Sequence, residues 1–127
     1  KPHIINKKFS IGNSKQIINF KPLQVKHGLI MNTVYVFEKT AYINDCNDMS
    51  IIKMKDLKNL NNLVIDCLRI EKHPSHFNLN ESLYIHKMLK PKKTFLTNLH
   101  QDLDYNFLRR RLPKNVFPAY DGLKIDL

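Results

Sequence analysis

LVIDCLRIEKHPSHFNLNESLYIHKMLKPKKTFLTNLHQDLDY, residues 63–105, is the stretch from which the rest of the chain can be read. Leu63-Val64-Ile65 is an apolar run that stops at Asp66, too short to be a helix core. Phe95-Leu96-Thr97 stops the same way, at Asn98 and His100. Short apolar runs on either side of a helical pattern predict a βαβ unit and a sheet buried on both faces. In such sheets chemistry collects beyond the strand ends, where loops place polar groups beside a common cleft. The polar groups at these ends are His73, His76, Asn98 and His100. That is more imidazole than a loop needs for its own structure.

The helix inside this unit has a defined start and stop. Asn78 is an N-cap residue, and Glu81 stands three positions later, able to return a bond to the N–H of the cap. Leu79, Leu83, Ile85, Met88 and Leu89 form the apolar stripe, and Pro91 ends it. A second helix is predicted over about 102–112. Asp102 and Asp104 open it, Arg109, Arg110 and Arg111 close it, and these signs suit the helix dipole. Beyond it, Tyr120-Asp121-Gly122-Leu123 reads as a hairpin turn between two final short strands.

Upstream, residues 1–15 are polar and read as a connecting segment entering the fold. Gln16 to Val25 is a strand that runs out at His27-Gly28, and Pro22 places it at an edge or a bulge. Thr33–Phe37 and Thr40–Asn44 read as a hairpin about Glu38-Lys39, ending at Asp45. Residues 49–58 carry Met49, Ile52 and Leu57 on one side and read as a short amphipathic helix.

The 127 residues suffice for one core, and residues 1–127 read as a single unit. No apolar run approaches a membrane span and no signal-peptide pattern is visible, so a cytoplasmic location is expected. Cys46 and Cys67 show no metal-knuckle spacing and read as reduced, partly buried thiols. A net charge of +10 invites a nucleic-acid partner. Yet Lys, Asn and Ile are spread throughout, which points to a genome-wide compositional bias, and attraction of an anionic substrate is the more economical reading.

HPSHF (73–77), LTNLHQDLDY (96–105) and LPKNVFPAYDGLKI (112–125) resemble the C-terminal half of metallo-β-lactamase-fold hydrolases. The resembling branch is the phosphodiesterases that open phosphoribosyl cyclic phosphate, near relatives of the tRNA 3′-processing nucleases. VKHG (25–28) and AYINDCND (41–48) fit the same pattern in the right order. The resemblance implies an α/β (α+β) fold, half of an αββα sandwich, with a mixed sheet and helices packed on one face. It implies two divalent metal ions per complete site, zinc or manganese, which generate a hydroxide nucleophile near neutral pH.

Each candidate has a bland reading beside the functional one. His27 alone is a surface or hydrogen-bonded histidine; the resemblance makes it a metal ligand. Asp45 alone caps a turn; in the family this position bridges two cations ~3.5–4 Å apart. His76 either bonds near Asn78 or, as the resemblance implies, holds the phosphate or protonates the leaving oxygen, a task suited to imidazole. His73 reads as a loop residue that can contact substrate. Asn98 departs from the family, where relatives commonly read LTH. Its amide oxygen is a weaker ligand than imidazole for such metals. His100, two positions on, is expected to face the same cleft and replace the lost ligand; the alternative is that Asn98 itself holds the metal through its amide oxygen, at a second site of lower affinity.

The HxHxDH motif that holds most of the family's metal ligands is absent. The chain therefore reads as half an active site, inactive alone and completed by a missing N-terminal half. It acts on a phosphate-containing small molecule, with nucleic acid the less favoured partner. The alternatives are a non-catalytic, basic RNA-binding module or a relic half-domain. With one sheet face uncovered, Val34, Val36, Ile43, Val64, Ile65, Phe95 and Leu96 are expected to lie bare, and the chain to self-associate as a symmetric homodimer.

Overall fold

The computed structural model describes residues 7–127. The sequence reading of residues 1–6 as part of a connecting segment lies outside the described residues. A seven-stranded mixed sheet runs in sequence order, from β1 (Phe9–Gly12) and β2 (Ile17–His27) through β3 (Ile30–Phe37) and β4 (Thr40–Ile43) to β5 (Asn62–Asp66), β6 (Lys93–Thr97) and β7 (Val116–Pro118). The first four strands are antiparallel neighbours, and β4 to β7 are parallel. Helix α1 (Leu79–Leu89) connects β5 to β6, and α2 (Tyr105–Arg111) connects β6 to β7. The predicted βαβ unit is β5–α1–β6.

The pleat decides what each strand residue meets. One register row is Val36, Ala41, Leu63, Thr94 and Val116, and the next is Ile43, Ile65, Leu96 and Pro118. Most of these residues pack with Ile85 of α1 and Leu108 of α2 in one buried cluster. The opposite face carries the row Tyr35, Tyr42, Val64, Phe95 and Phe117. The residues expected to lie bare are therefore divided between two environments. None of them lies bare: Val34, Ile43, Ile65 and Leu96 are in the helix-covered core with Val36 against it, and Val64 and Phe95, on the aromatic face, are each only 8% exposed.

Local chemistry explains the element boundaries. Glu38 and Lys39 both take positive φ, 42° and 58°, as a two-residue turn between twisted antiparallel strands demands. Pro22 is tolerated because β1 pairs only with Ile17 to Phe20, so β2 is an edge strand from Lys21 onward. Helix α1 has the complete capping box: Asn78 Oδ1 accepts from the Glu81 N–H at 2.9 Å, and Glu81 Oε2 accepts from the Asn78 N–H at 2.9 Å. Lys90 closes it in the left-handed conformation at φ 50°, one residue before Pro91.

Four readings are corrected. Phe9–Gly12 is a strand, because Phe9 stacks on Phe20 at 5.0 Å and a turn closed by the Asn13 side chain returns the chain. Residues 49–58 hold only a single 3-10 turn, Met54–Leu57. Asp48 captures the Ser50 N–H at 2.7 Å, and Lys53 is extended, so no helix propagates. The second helix is shorter than predicted, because Asp104 rather than Asp102 caps it by accepting from the Phe107 N–H. Tyr120 to Leu123 makes a turn, but no strand follows it. Asp126 instead offers its carbonyl to the buried Asn62 side chain at 2.9 Å.

Cys46 and Cys67 are buried and unpaired, and burial pushes each thiol up to about 12, which makes them inert core residues. Among the described residues no helix is long and apolar enough to cross a membrane.

Asn78→Ala removes one half of the capping box. It should lower stability by about 1 kcal/mol, read as a lower denaturant midpoint with an unchanged slope. An unchanged midpoint would mean that packing alone sets the start of α1.

Candidate metal centre

The parallel register brings three strand ends level. Ile43, Ile65 and Leu96 are side by side, so Asp45 just past β4, Asp66 at the end of β5 and Asn98 just past β6 meet at one edge. The end of β2 adds His27, and the 73–77 loop adds His76. One ligand atom from each of His27, Asp45 and His76 lies within 4.8 Å of the others.

The loop is held there by its own backbone. Asn47 accepts from the Gly28 N–H at 2.8 Å and donates to the Pro74 carbonyl at 3.0 Å, while the Phe77 N–H reaches the Cys46 carbonyl at 2.9 Å. Gly28 has φ 62°, and a Cβ there would stand 3.1 Å from Cβ of Ser75, so glycine suits both the turn and the close approach.

The partners assign the ring nitrogens. Nδ1 of His27 faces the carbonyl oxygen of Ser75 at 2.8 Å, which can only accept, so Nδ1 carries the hydrogen and Nε2 presents its lone pair. An imidazole tethered by a carbonyl in this way is the usual arrangement of a metal ligand. Nδ1 of His76 lies 2.7 Å from Oδ2 of Asp66 and donates to it, which leaves Nε2 free. The ring centroids of His27 and His76 are 4.6 Å apart, and those of His73 and His76 5.0 Å. Nδ1 of His73 accepts from the Ser75 N–H at 3.3 Å, so its hydrogen sits on Nε2. Partial desolvation first, then the Arg69 guanidinium, hold His73 below the usual histidine range.

Asp66 is fully buried and was not singled out from the sequence as a site residue. Besides His76, it accepts from the Cys46 N–H at 3.0 Å and from Nδ2 of Asn98 at 3.2 Å. Its signal was present: LVID and AYIND both end an apolar strand in an acid. Asp45, by contrast, has a half-exposed carboxyl and left-handed backbone, φ 48°. Asn98 stands in the cluster, whereas His100 does not. The His100 ring is half exposed and pairs with Asp102 at 3.1 Å. The expectation that His100 replaces the lost ligand is corrected: the chain turns at Asn98, φ 61°, so the extended geometry that would align both residues does not persist.

No protein-family model and no curated protein matches the sequence. Solved structures do. The chain is similar to a diphosphatase from the PhnP family, with 31% identity and a TM-score of 0.88 over 98% of this chain and 47% of that one. The metallo-β-lactamase fold protein YhfI from Bacillus subtilis matches with 16% identity and a TM-score of 0.68 over 91% of this chain and 51% of its own. This chain is half of a metallo-β-lactamase fold. The short form of human tRNase Z shares that fold, with 16% identity and a TM-score of 0.66 over 94% of this chain and 46% of its own. The half-domain thus spans about half the length of the structures it matches. Its donor set, a tethered imidazole with a free Nε2 beside a carboxylate, fits a divalent cation.

Asp66→Ala would strip the Cys46 N–H, His76 and Asn98 of their common acceptor. A loss of about 3 kcal/mol is expected in equilibrium denaturation. A change below about 0.5 kcal/mol, the range of an ordinary surface substitution, would refute a structural role for this carboxyl.

Proposed function

We propose that this half-domain supplies one side of a divalent-metal site that hydrolyses phosphodiester bonds in nucleotide-like substrates, cyclic ribose phosphates among them. The observation that carries the proposal is the free Nε2 of His27, the Asp45 carboxylate and His76 converging within 4.8 Å at the ends of parallel strands. In this reading His27 and Asp45 hold zinc or manganese. When bound, the metal would supply a water acidified to near neutrality and would offset the charge on the phosphoryl oxygens.

The roles of the other side chains follow from their hydrogen bonds. In the form that carries hydrogen on both ring nitrogens, His76 gives its Nε2 proton to the leaving oxygen, and Asp66, at 2.7 Å behind it, orients the ring. His73 donates through Nε2–H to a phosphate oxygen at the same mouth. The net charge of +10 draws an anionic substrate toward the site. The similarity to a diphosphatase at 31% identity supports a phosphorus substrate. The matched structures are about twice as long, which supports a partner half carrying HxHxDH, packed over the Tyr35–Phe117 aromatic row.

The test uses the complete protein, this chain together with the half that carries HxHxDH. Metal-dependent cleavage of bis(p-nitrophenyl) phosphate should require both halves. In the assembled enzyme His76→Ala should lower turnover by ~10²–10⁴-fold with metal content unchanged. Metal lost along with turnover would move His76 into the ligand set and reject the assignment.

A further inference from the structure

Asn98 stands in the cluster with its amide turned in a defined way. Nδ2 lies 3.2 Å from Oδ1 of Asp66 and 3.5 Å from Oδ1 of Asp45. Ionised carboxylate oxygens only accept, so an amide oxygen in that place would face two others. The two acceptors therefore fix Nδ2 inward and Oδ1 away. Nδ2 is also 3.2 Å from Nδ1 of His76, but that nitrogen spends its hydrogen on Asp66, and the contact holds no bond. The backbone enforces the placement: φ of 61° at Asn98 is a left-handed conformation that asparagine, with aspartate and histidine, adopts more readily than most residues.

We propose that Asn98 is a neutral stand-in for a cation: its NH₂ group bridges Asp45 and Asp66 and restricts this half-domain to one divalent ion. Two carboxylates so close need positive charge between them or hydrogen-bond donors. A metal supplies the first and Asn98 the second. In this orientation Asn98 offers a metal no oxygen, and it engages the Asp45 oxygen that a second ion would need. The inference rests on the reading of His27 and Asp45 as ligands, and it differs from a reading in which Asn98 is a weak ligand. The two give opposite signs. Removing a donor that competes with the cation tightens binding, whereas removing a ligand weakens it.

The experiment is calorimetric titration of the full chain with Zn²⁺, after chelator treatment, for the wild type, Asn98→Ala and Asn98→His. Wild type should take up one ion, and His27→Ala should abolish uptake. Asn98→Ala should bind about tenfold tighter or admit a second ion, an effect of the size that neighbours of metal ligands exert. Asn98→His should bind at least as tightly as Asn98→Ala. Weaker or unchanged binding in Asn98→Ala overturns the inference and leaves the metal reading standing. No Zn²⁺ uptake by any variant overturns both. Thermal midpoints in chelator give the readout independent of binding. Asn98→Asp, equal in shape but without donors, should melt below wild type in chelator and gain more than wild type on adding Zn²⁺. Equal midpoints in chelator would show that the amide bridges nothing.

Discussion

A single buried carboxyl organises the site. Asp66 ends β5 with no exposed surface, and its oxygens serve a main-chain N–H beyond β4, the ring of His76 and the amide beyond β6. Its own carbonyl accepts from the Ser82 hydroxyl at 2.6 Å, which anchors the first turns of α1 to the same strand end. Neighbouring strands, loop and helix thus converge on one residue. In a low-dielectric setting such a network is strong when complete and costly when one member is missing, so positions within it are coupled. The parallel register sets the height of each strand end, and Asp66 turns that common height into a fixed arrangement of side chains.

The histidines show how partner chemistry, rather than residue type, assigns a role. A carbonyl at Nδ1 leaves the Nε2 lone pair of His27 unengaged, and in the proposed function that atom meets a cation; a carboxylate at Nδ1 fixes the ring of His76, which the same proposal makes the proton donor. An N–H at Nδ1 makes His73 a donor on its outer side. His86 is instead a packing residue: it meets the Thr94 hydroxyl at 2.8 Å, and burial holds it below the usual range. His100 pairs with Asp102 in solvent. Counting imidazoles near a strand end therefore overstates the site.

Those same partners mark the limit of what the sequence disclosed. The βαβ unit, the Asn78 cap and the Glu38-Lys39 hairpin were legible because each depends on residues close in the chain. His27, Asp45 and His76 were legible from motif resemblance. Asp66 was not, since a buried acid is recognised only by what surrounds it, and its three partners lie 10 to 32 positions away. The His100 error came from assuming that β6 stays extended past Asn98. The helix read over 49–58 failed because periodicity alone ignores the local bond from Ser50 to Asp48.

Backbone strain links this fold to its chemistry. Among the described residues six non-glycine positions have positive φ, and Glu38, Lys39, Asn59 and Lys90 are turn or cap positions where that geometry reverses or ends an element. The other two are Asp45 and Asn98, both just beyond parallel strands. Each such conformation costs on the order of 1 kcal/mol and persists only where surrounding bonds over-determine it. For Asp45 those bonds come from Asn32, whose amide donates to the carbonyls of Asn44 and Asp45 at 3.0 and 3.1 Å. For Asn98 they come from the carboxylates. Asp45 and Asn98 thus turn sharply at the ends of the two strands that flank β5, so that a half-exposed carboxylate and an inward amide face each other across Asp66. A regular strand continuation would keep Asp45 and Asn98 on the face of Ile43 and Leu96, opposite to Asp66, and disperse the cluster. The strain is local, and it lies where the strands end and the polar cluster begins.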